Sequence, residues 1–574
     1  MIAQDRIRLI ANLNFLRNAP LNRCIYSWIW NQLPKPYKSY PLNLQHNRDY
    51  KTSKKGQFQT NIAFKIASLE GVNPIEIART ICRHVHADGL TCFATSPGYV
   101  NFNVDYLKLQ QIVLYSKSKD KCIKERIILD FGGPNIAKPM HIGHIRSMLL
   151  GEGLRRLHAY LGYEVISDIH LGDCGTQMGM IMAGFANDFP DSAFLSQGGD
   201  YPSALPFKID YLSQLYPKWS SMCRGDEALM QVAKNYTVQM QSGEHKGLDL
   251  WRDLVKTMSL EHVSEVTSLL GCHFDLWMGE SDVLPYVPDM LDEAGNLCFE
   301  DDGCRVIKIS EKKNLLVQKS DGGYLYATTD LATIKWRMET YNPARIIYVA
   351  DKRQREHFQD VFQVARNLTL LQDDKVRLDH VGFGMVLDSK GKVFKTRDGV
   401  ALELLDIVKE AKEYVRTEGE NKDAISLSTI KFAILSVRNE SNILFNPYLF
   451  TQYEGKTGAY IMYTYNRIIS ILNKLEGVRV DEARDQVVED GIFDLMLMLS
   501  QSWHYFSLSK NLLDLSYLCD YTYNLCNVFN QLYHRHRMLA DPVKLDIKLA
   551  LLQMQKVLQD AFHILGMWLP KGSM

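Results

Sequence analysis

Apolar residues recur at helical spacing over 57–69 and again over Pro74–His84, and positions 98–104 alternate polar and apolar as in a half-buried strand. These segments predict a small α+β module ending near residue 105–115, followed by a Lys/Ser-rich linker at 116–124. The style changes at Ile127-Ile-Leu-Asp-Phe131, a continuous buried-strand run that breaks at Gly132-Gly-Pro134. A helix is predicted from about 143 to 161, Gly162 ends it, and 163–169 reads as a strand. Strand, glycine-rich turn, helix and strand make a βαβ unit, the building block of a parallel sheet. Further strands are predicted at 324–328, 345–350 and 378–386, with a mostly helical insertion over about 186–280. Residues 454–574 carry helical periodicity throughout and predict a bundle.

The expected architecture is therefore multidomain α/β. A small N-terminal α+β domain (1–115) precedes a Rossmann-type parallel-sheet domain (116–400) with its helical insertion. A connecting helical region (401–453) and an all-α bundle (454–574) follow. A chain of 574 residues is too long for one hydrophobic core, which agrees with that division.

Charge narrows the function. Lys+Arg and Asp+Glu both total 66, so no global field attracts a nucleic acid or a membrane, and any polyanion must meet local basic surface. Residues 1–60 hold ten Lys/Arg against Asp5 and Asp49. That excess is the footprint of a phosphate backbone, or else a solvated basic face. Residues 1–48 contain one acid, a composition shared by transit peptides and RNA-facing surfaces; the RNA-facing reading is preferred. No run of about 18 apolar residues exists, so no spanning helix is expected. Eleven cysteines are scattered without C-x-x-C; the closest groupings, Cys298 with Cys304 and Cys519 with Cys526, lack zinc spacing. No structural metal is expected, and the cysteine usage predicts a reduced, cytoplasmic protein.

Candidate chemistry centres on the turn from Asp130 to His144, between the first strand and first helix of the βαβ unit, where open α/β sheets bind nucleotides. No G-x-x-x-x-G-K-[ST] is present, and Gly455-Lys456-Thr457 lacks the upstream glycine, its place being taken by Phe450. The turn instead offers His141-Ile-Gly-His144 at a helix N-terminus, which favours phosphate. Gly143 would allow close approach of a nucleotide, and the imidazoles could donate to oxygens gaining charge. Two helix-capping histidines would give the same pattern. Asp130 and Asp330 are carboxylates suited to a guanidinium, and Tyr326 lies four residues before Asp330, one helical turn away. Taken singly, Asp330 could equally be a helix cap and Tyr326 a core aromatic.

These residues bring a family into view. Phe131–His144 resembles the HIGH signature of class I aminoacyl-tRNA synthetases, in the P-N-I-A-K-P-x-H-x-G-H form of arginyl-tRNA synthetases. His170-Leu-Gly-Asp-Cys-Gly-Thr-Gln-Met-Gly179 resembles the family's L-G-D-W-G-x-Q-x-G, with Cys174 in the tryptophan position. Trp277-Met-Gly-Glu-Ser281, Tyr324-Leu-Tyr-Ala-Thr-Thr-Asp330, the stretch 348–357, the stretch 380–399 and the helices of 454–530 extend the likeness from about residue 55 to the end.

The resemblance implies an arginine–tRNA ligase that activates L-arginine with ATP and Mg²⁺, then transfers it to the 3′-terminal adenosine of tRNA(Arg). It implies arginine binding by Asp130, Asn135, His144, Tyr326, Asp330 and Gln354. ATP binding falls to Pro134, Met140, His141, Gly143, His144, Gly382 and Met385. His141, His144, Lys138, Lys395 and Arg397 would stabilise the reacting phosphates. One departure stands out: where the family has K-M-S-K-S, this chain has Val393-Phe-Lys-Thr-Arg-Asp-Gly399, with Val393 and Thr396 in the lysine positions. Lys138 would stand in, with Lys390 and Lys392 close by. Residues 454–574 hold twelve Lys/Arg and thirteen acids, so anticodon recognition there would rest on stacking and base-edge hydrogen bonds. Tyr460, Tyr463, Asn466, Tyr523, Asn530 and Tyr533 are the candidates, with Tyr465 beside them. The basic N-terminal module would meet the tRNA elbow. No DNA or membrane partner is expected, and a monomer is. The rival readings are a synthetase paralogue that binds tRNA without charging it, supported by Val393 and Thr396, and a different class I synthetase.

Overall fold

The computed structural model describes residues 44–47, 55–86, 88–115, 123–138, 140–371, 375–392, 404–415, 421–477, 490–535 and 544–569. Most of the basic segment 1–48 and of the linker 116–124 lies outside these residues. The chain forms two compact units, Lys121–Leu449, and Met1–Asp120 together with Phe450–Met574.

The first is built on a four-stranded parallel sheet. Strand β1 (Ile123–Phe131) leads through helix α1 (Ile142–Tyr160) to β2 (Tyr163–Asp168). Helix α2 (Thr176–Asp188) follows, then the insertion helices α3 (Ile209–Gly225), α4 (Glu227–Ser242) and α5 (Lys246–Leu270). Helix α6 (Tyr326–Tyr341), strand β3 (Arg345–Asp351), helix α7 (Arg355–Asn367) and strand β4 (Arg377–Phe383) complete the core. The strand order is β2-β1-β3-β4, all parallel.

Strand alternation decides what each face receives. Ile128 of β1 joins a buried cluster with Ala327, Leu331 and Ile334 of α6 and Phe358, Val361 and Val364 of α7. Asp130, two residues on, points the same way and meets α6. Phe131 points oppositely, onto α1, where a Cβ on Gly151 would stand 2.1 Å from its ring. That glycine lets α1 lie close against the strand and bring its N-terminus to the strand's carboxyl end.

Two sequence expectations are corrected in this unit. Residues 324–328 are not a strand: Leu325 caps α6, which begins at Tyr326. A short apolar run does not tell buried strand from buried helix, and burial of Ala327, Thr328 and Leu331 against the sheet decides for helix. The strand predicted over 378–386 ends at Phe383; Val386–Leu387 instead pairs with Ile443–Leu444. An antiparallel sheet of Cys298–Asp301, Cys304–Ser310 and Lys313–Gln318 was not anticipated.

In the other unit, strands Leu44–His46, Phe58–Thr60, Tyr99–Val104 and Leu90–Thr95 form an antiparallel sheet in that order, with helices Ile62–Glu70 and Pro74–His84. The helix expected from 57 thus starts later: Phe58 and Thr60 pair with Phe102 and Val100 before the chain turns helical. Helices Gly458–Lys474, Asp490–Leu499, Ser502–Leu512, Ser516–Arg535 and Lys544–Leu565 belong to the same unit. Distant parts of the chain are joined there by Asp546, whose Oδ1 accepts from Tyr106 Oη at 3.0 Å and Gln110 Nε2 at 2.8 Å. No helix among the described residues is long and apolar enough to cross a membrane.

Candidate active site

From β1 the chain passes to β2 on one side, whereas β3 passes to β4 on the other, so the order reverses between β1 and β3. Such a switch point leaves a crevice at the strands' carboxyl ends. A cavity of about 500 Å³ opens there, lined from the ends of β1, β3 and β4, the first turns of α1 and α6, and His170, Glu280 and His357.

At one wall His141 is the N-cap of α1, and its Nδ1 accepts from Gly143 N at 3.0 Å. His144 Nδ1 accepts in turn from His141 N at 3.2 Å, and the two rings lie 4.1 Å apart. Both histidines therefore cap the helix. Because Nδ1 accepts in each, the ring proton resides on Nε2, leaving two N–H donors for a ligand. Burial, with His141 beside it, pushes His144 down to about 3; burial and Lys138 lower His141. Both are neutral donors at physiological pH. A Cβ on Gly143 would lie 2.7 Å from the His141 ring, so glycine is required by the cap itself.

The floor is ionic. Arg337 of α6 is fully buried, and its Nη2 donates to Asp130 Oδ2 at 2.6 Å and Asp168 Oδ2 at 2.5 Å. Burial pushes Asp168 up, but Arg337 and His170 outweigh it and hold the carboxyl below its usual range. Burial prevails at Asp130 and raises it against the pull of the same guanidinium. His170 Nδ1 lies 3.8 Å from Asp168. Burial opposes its charge, yet Asp168 and Asp130 raise it to about 9, so it is an imidazolium at neutral pH. Asp130, Asp168 and His170 place ligand-type atoms within 4.8 Å of one another, as do Asp173, Cys174 and Glu280. The first group already holds Arg337 as its cation, and Lys256 Nζ lies 3.0 Å from Asp173.

Above this floor, His357 Nε2 donates to Asp330 Oδ2 at 2.6 Å, and the Tyr326 ring lies 4.4 Å from His357. Asp330 sits within the first turns of α6 and is not a cap; Tyr326 is 59% exposed and not a core aromatic. Glu280 faces the same space, its Oε2 accepting from Cys174 Sγ at 3.5 Å. Burial pushes Glu280 up to about 7. The cavity thus pairs neutral N–H donors on one wall with carboxylates on another.

Of the residues singled out from sequence, Asp130, His141, Gly143, His144, Tyr326, Asp330, Gln354 and Met385 line this cavity. Asn135, Pro134, Lys138, Met140 and Gly382 are not among its lining residues. Lys138 Nζ lies 3.6 Å from the centre of the Tyr216 ring of α3, and Met140 is buried. Lys395 and Arg397, with Val393 and Thr396, lie outside the described residues. Sequence reasoning missed Glu280, His170, Arg337 and Arg146. The last is buried in α1 and donates to Gly384 O at 2.8 Å, Ser441 O at 2.5 Å and Arg438 O at 2.8 Å, fixing the segment that carries Met385. Glu280 and His170 stood inside matched blocks, which was the available signal; Arg337 and Arg146 offered none.

The aromatic candidates of the helical region fall on helices Gly458–Lys474 and Ser516–Arg535. Tyr460 Oη donates to Asn527 Oδ1 at 2.7 Å, and Asn530 Nδ2 donates to Tyr460 Oη and Thr464 Oγ1, both at 2.9 Å. These tie the helices together, and the Tyr523 ring lies 5.7 Å from that of Tyr460, inclined by 58°. Tyr465 is buried. Tyr463 and Tyr533 are exposed and flank Arg467, whose guanidinium lies 4.9 Å and 4.5 Å from their rings. Asn466 immediately precedes Arg467 on the same helix, and Arg467 itself was not among the sequence candidates.

Comparison with known proteins agrees with this arrangement. Family models match in three places: "tRNA synthetases class I (R), catalytic domain" over 108–439, "DALR anticodon binding domain" over 461–571, and "Arginyl tRNA synthetase N terminal domain" over 38–104. A curated relative from Francisella tularensis subsp. holarctica, called arginine–tRNA ligase, is 37% identical over 507 residues, covering 83% of this chain and 87% of its own. One of the same name from Alkaliphilus oremlandii is 33% identical over 518 residues, covering 84% and 88%. The arginyl-tRNA synthetase structures of Plasmodium falciparum (TM-score 0.80, 24% identity, covering 97% of this chain and 100% of its own) and Thermus thermophilus (0.78, 18%, covering 96% and 100%) share the fold. The chain belongs to the arginyl-tRNA synthetase family of class I, the arginine–tRNA ligases.

Proposed function

We propose that the cavity at the carboxyl ends of β1, β3 and β4 binds L-arginine and ATP together, forms arginyl-adenylate, and passes arginine to the terminal adenosine of tRNA(Arg). The observation that carries this reading is the placing of two neutral imidazole donors opposite a set of carboxylates within one cavity. A substrate guanidinium suits the carboxylate wall, because planar acids take it with two parallel hydrogen bonds. Asp330 and Glu280 are its partners, with Tyr326 covering the alkyl stem; Gln354 and His144, which also line the cavity, fall to the α-amino and carboxylate end. Asp130 shares Oδ2 with Arg337, which leaves Oδ1 for substrate. The arginine carboxylate attacks the α-phosphate in line, so no protein nucleophile is needed. As charge builds on the phosphate oxygens, Nε2–H of His141 and His144 stabilises it.

ATP enters as its magnesium complex, the ion belonging to the triphosphate. Gly143 and Met385 shape the nucleotide end of the cavity. Lys138, Lys395 and Arg397 neutralise the departing pyrophosphate. Tyr463, Tyr533 and Arg467 form the stacking surface for anticodon bases. Residues 1–115 meet the tRNA elbow, and 401–453 connects the catalytic domain (116–400) with the bundle (454–574). A monomer is the working state, and the eleven scattered cysteines fit a reduced, cytoplasmic setting.

The direct test is charging of total tRNA by the purified chain with ATP and Mg²⁺, offering arginine, lysine and citrulline. Charging with arginine alone is expected, since citrulline lacks the charge and lysine the planar fork. Binding of tRNA without charging would favour the inactive paralogue.

Glu280 adds a pH signature. Its carboxyl, raised to about 7, is protonated in the empty cavity below that pH and must ionise to pair with arginine. The KM for arginine should therefore fall as pH rises toward about 8, by up to about tenfold per unit below the pKa. Glu280→Gln should raise KM and flatten the profile; a Gln variant that keeps the wild-type slope would exclude Glu280 as the cause.

A further inference from the structure

Two thiols far along the chain from the cavity face each other. Cys82 lies in the last turn of helix Pro74–His84, and Cys92 lies in strand Leu90–Thr95. Cys92 Sγ donates to Cys82 Sγ at 3.1 Å. That strand is an edge of the four-stranded sheet, paired among the described residues with Tyr99–Val104 alone, so it can yield toward the helix more readily than a central strand. Both cysteines are partly exposed and so open to a small solute.

We propose that Cys82 and Cys92 form a reversible oxidation site, closing into an intramolecular disulfide when a hydroperoxide reaches Cys82. The sulfurs must approach from 3.1 Å to about 2.05 Å, a movement of roughly 1 Å that side-chain rotation and the edge strand can supply. Cys82 is the attacking sulfur: the hydrogen bond from Cys92 stabilises its thiolate and lowers its pKa against burial. The same bond, with burial, raises Cys92, which holds its proton until the second step.

In the first step the Cys82 thiolate attacks one oxygen of the peroxide. The O–O bond breaks, leaving a sulfenic acid on Cys82 and hydroxide, which becomes water as the medium supplies a proton. In the second, Cys92 sulfur attacks the sulfenic sulfur, the S–O bond breaks, and the departing hydroxide leaves as water with the Cys92 proton. Two electrons leave the sulfur pair and two peroxide oxygens end as water. A thiol reductant reverses the change. The product ties the end of helix Pro74–His84 to the sheet edge.

The test treats the full chain with hydrogen peroxide, blocks remaining thiols with N-ethylmaleimide and maps tryptic peptides without reduction. Cleavage after Arg83 separates the cysteines into peptides 80–83 and 84–108. The expected result is those two peptides joined as the major form of Cys82, with two fewer maleimide labels per chain, both reversed by dithiothreitol. In Cys92→Ser the reaction should stop after the first step, leaving a sulfenic acid at Cys82 that dimedone captures. Full maleimide labelling of both cysteines after peroxide, or sulfinic acids without the joined peptide, would overturn the proposal. The wild-type map decides the matter even if a variant folds poorly.

Discussion

Alanine at His144 should reduce arginine-dependent ATP–pyrophosphate exchange by about 10²–10³ in kcat, the usual loss when one preorganised donor to a charging oxygen is removed. The same is expected at His141, and the pair together should bring charging close to background. The difficulty is that both residues also cap α1, and losing a cap costs about 0.5–2 kcal/mol of stability by itself. His141→Asn separates the roles, because asparagine is a good N-cap but cannot place a donor where Nε2–H stands. Near-wild-type thermal stability with exchange still lost would assign the effect to chemistry. Retention of exchange within about tenfold in His144→Ala would remove the imidazoles from the reaction. The rate should also show no titration of His144 near the ordinary histidine value, since burial already holds it down to about 3.

Arg337→Leu should be the most destabilising single change in the parallel-sheet unit. Removing one partner of a buried ionic cluster typically costs about 3–5 kcal/mol, because the acids left behind have neither water nor a counter-charge. Here two carboxylates lose the same nitrogen, with His170 as the remaining cation nearby. The pH sign follows. In the wild type the lowered Asp168 contributes stability above its unfolded pKa of about 3.9, lost as pH falls through the folded value. In the variant that carboxyl is raised, so the deficit is largest near neutral pH and shrinks as the solution is acidified and the acid takes a proton. Combining Arg337→Leu with Asp130→Asn and Asp168→Asn should recover much of the loss. Denaturant midpoints at about pH 7 and 5 would show this; an equal deficit at both would mean the carboxylates are not its source.

What could be read from the chain was local. The run to Phe131, the glycine turn and the spacing His141-Ile-Gly-His144 sit within one strand–turn–helix unit, so their geometry follows from neighbours in sequence. Tyr326 and Asp330 lie one helical turn apart, although the apolar run at 324–328 reads as a strand. Asp330 then took its meaning from His357, 27 residues on in another helix.

The domain style, the parallel-sheet unit, the histidine turn and the family are legible in the chain alone, because periodicity and contiguous motifs are properties of short stretches. Which charges lie inside follows from the packing of the folded chain. Arg337 is a basic residue on a helix and reads as solvent-facing until α6 packs on β1 and places it between Asp130 and Asp168. Glu280 becomes a high-pKa acid only once burial strips its water. Arg467 becomes a stacking residue only between two tyrosines from separate helices. Each depends on contacts between residues dozens to hundreds of positions apart, and desolvation, which fixes their energetics, exists only after the chain has folded.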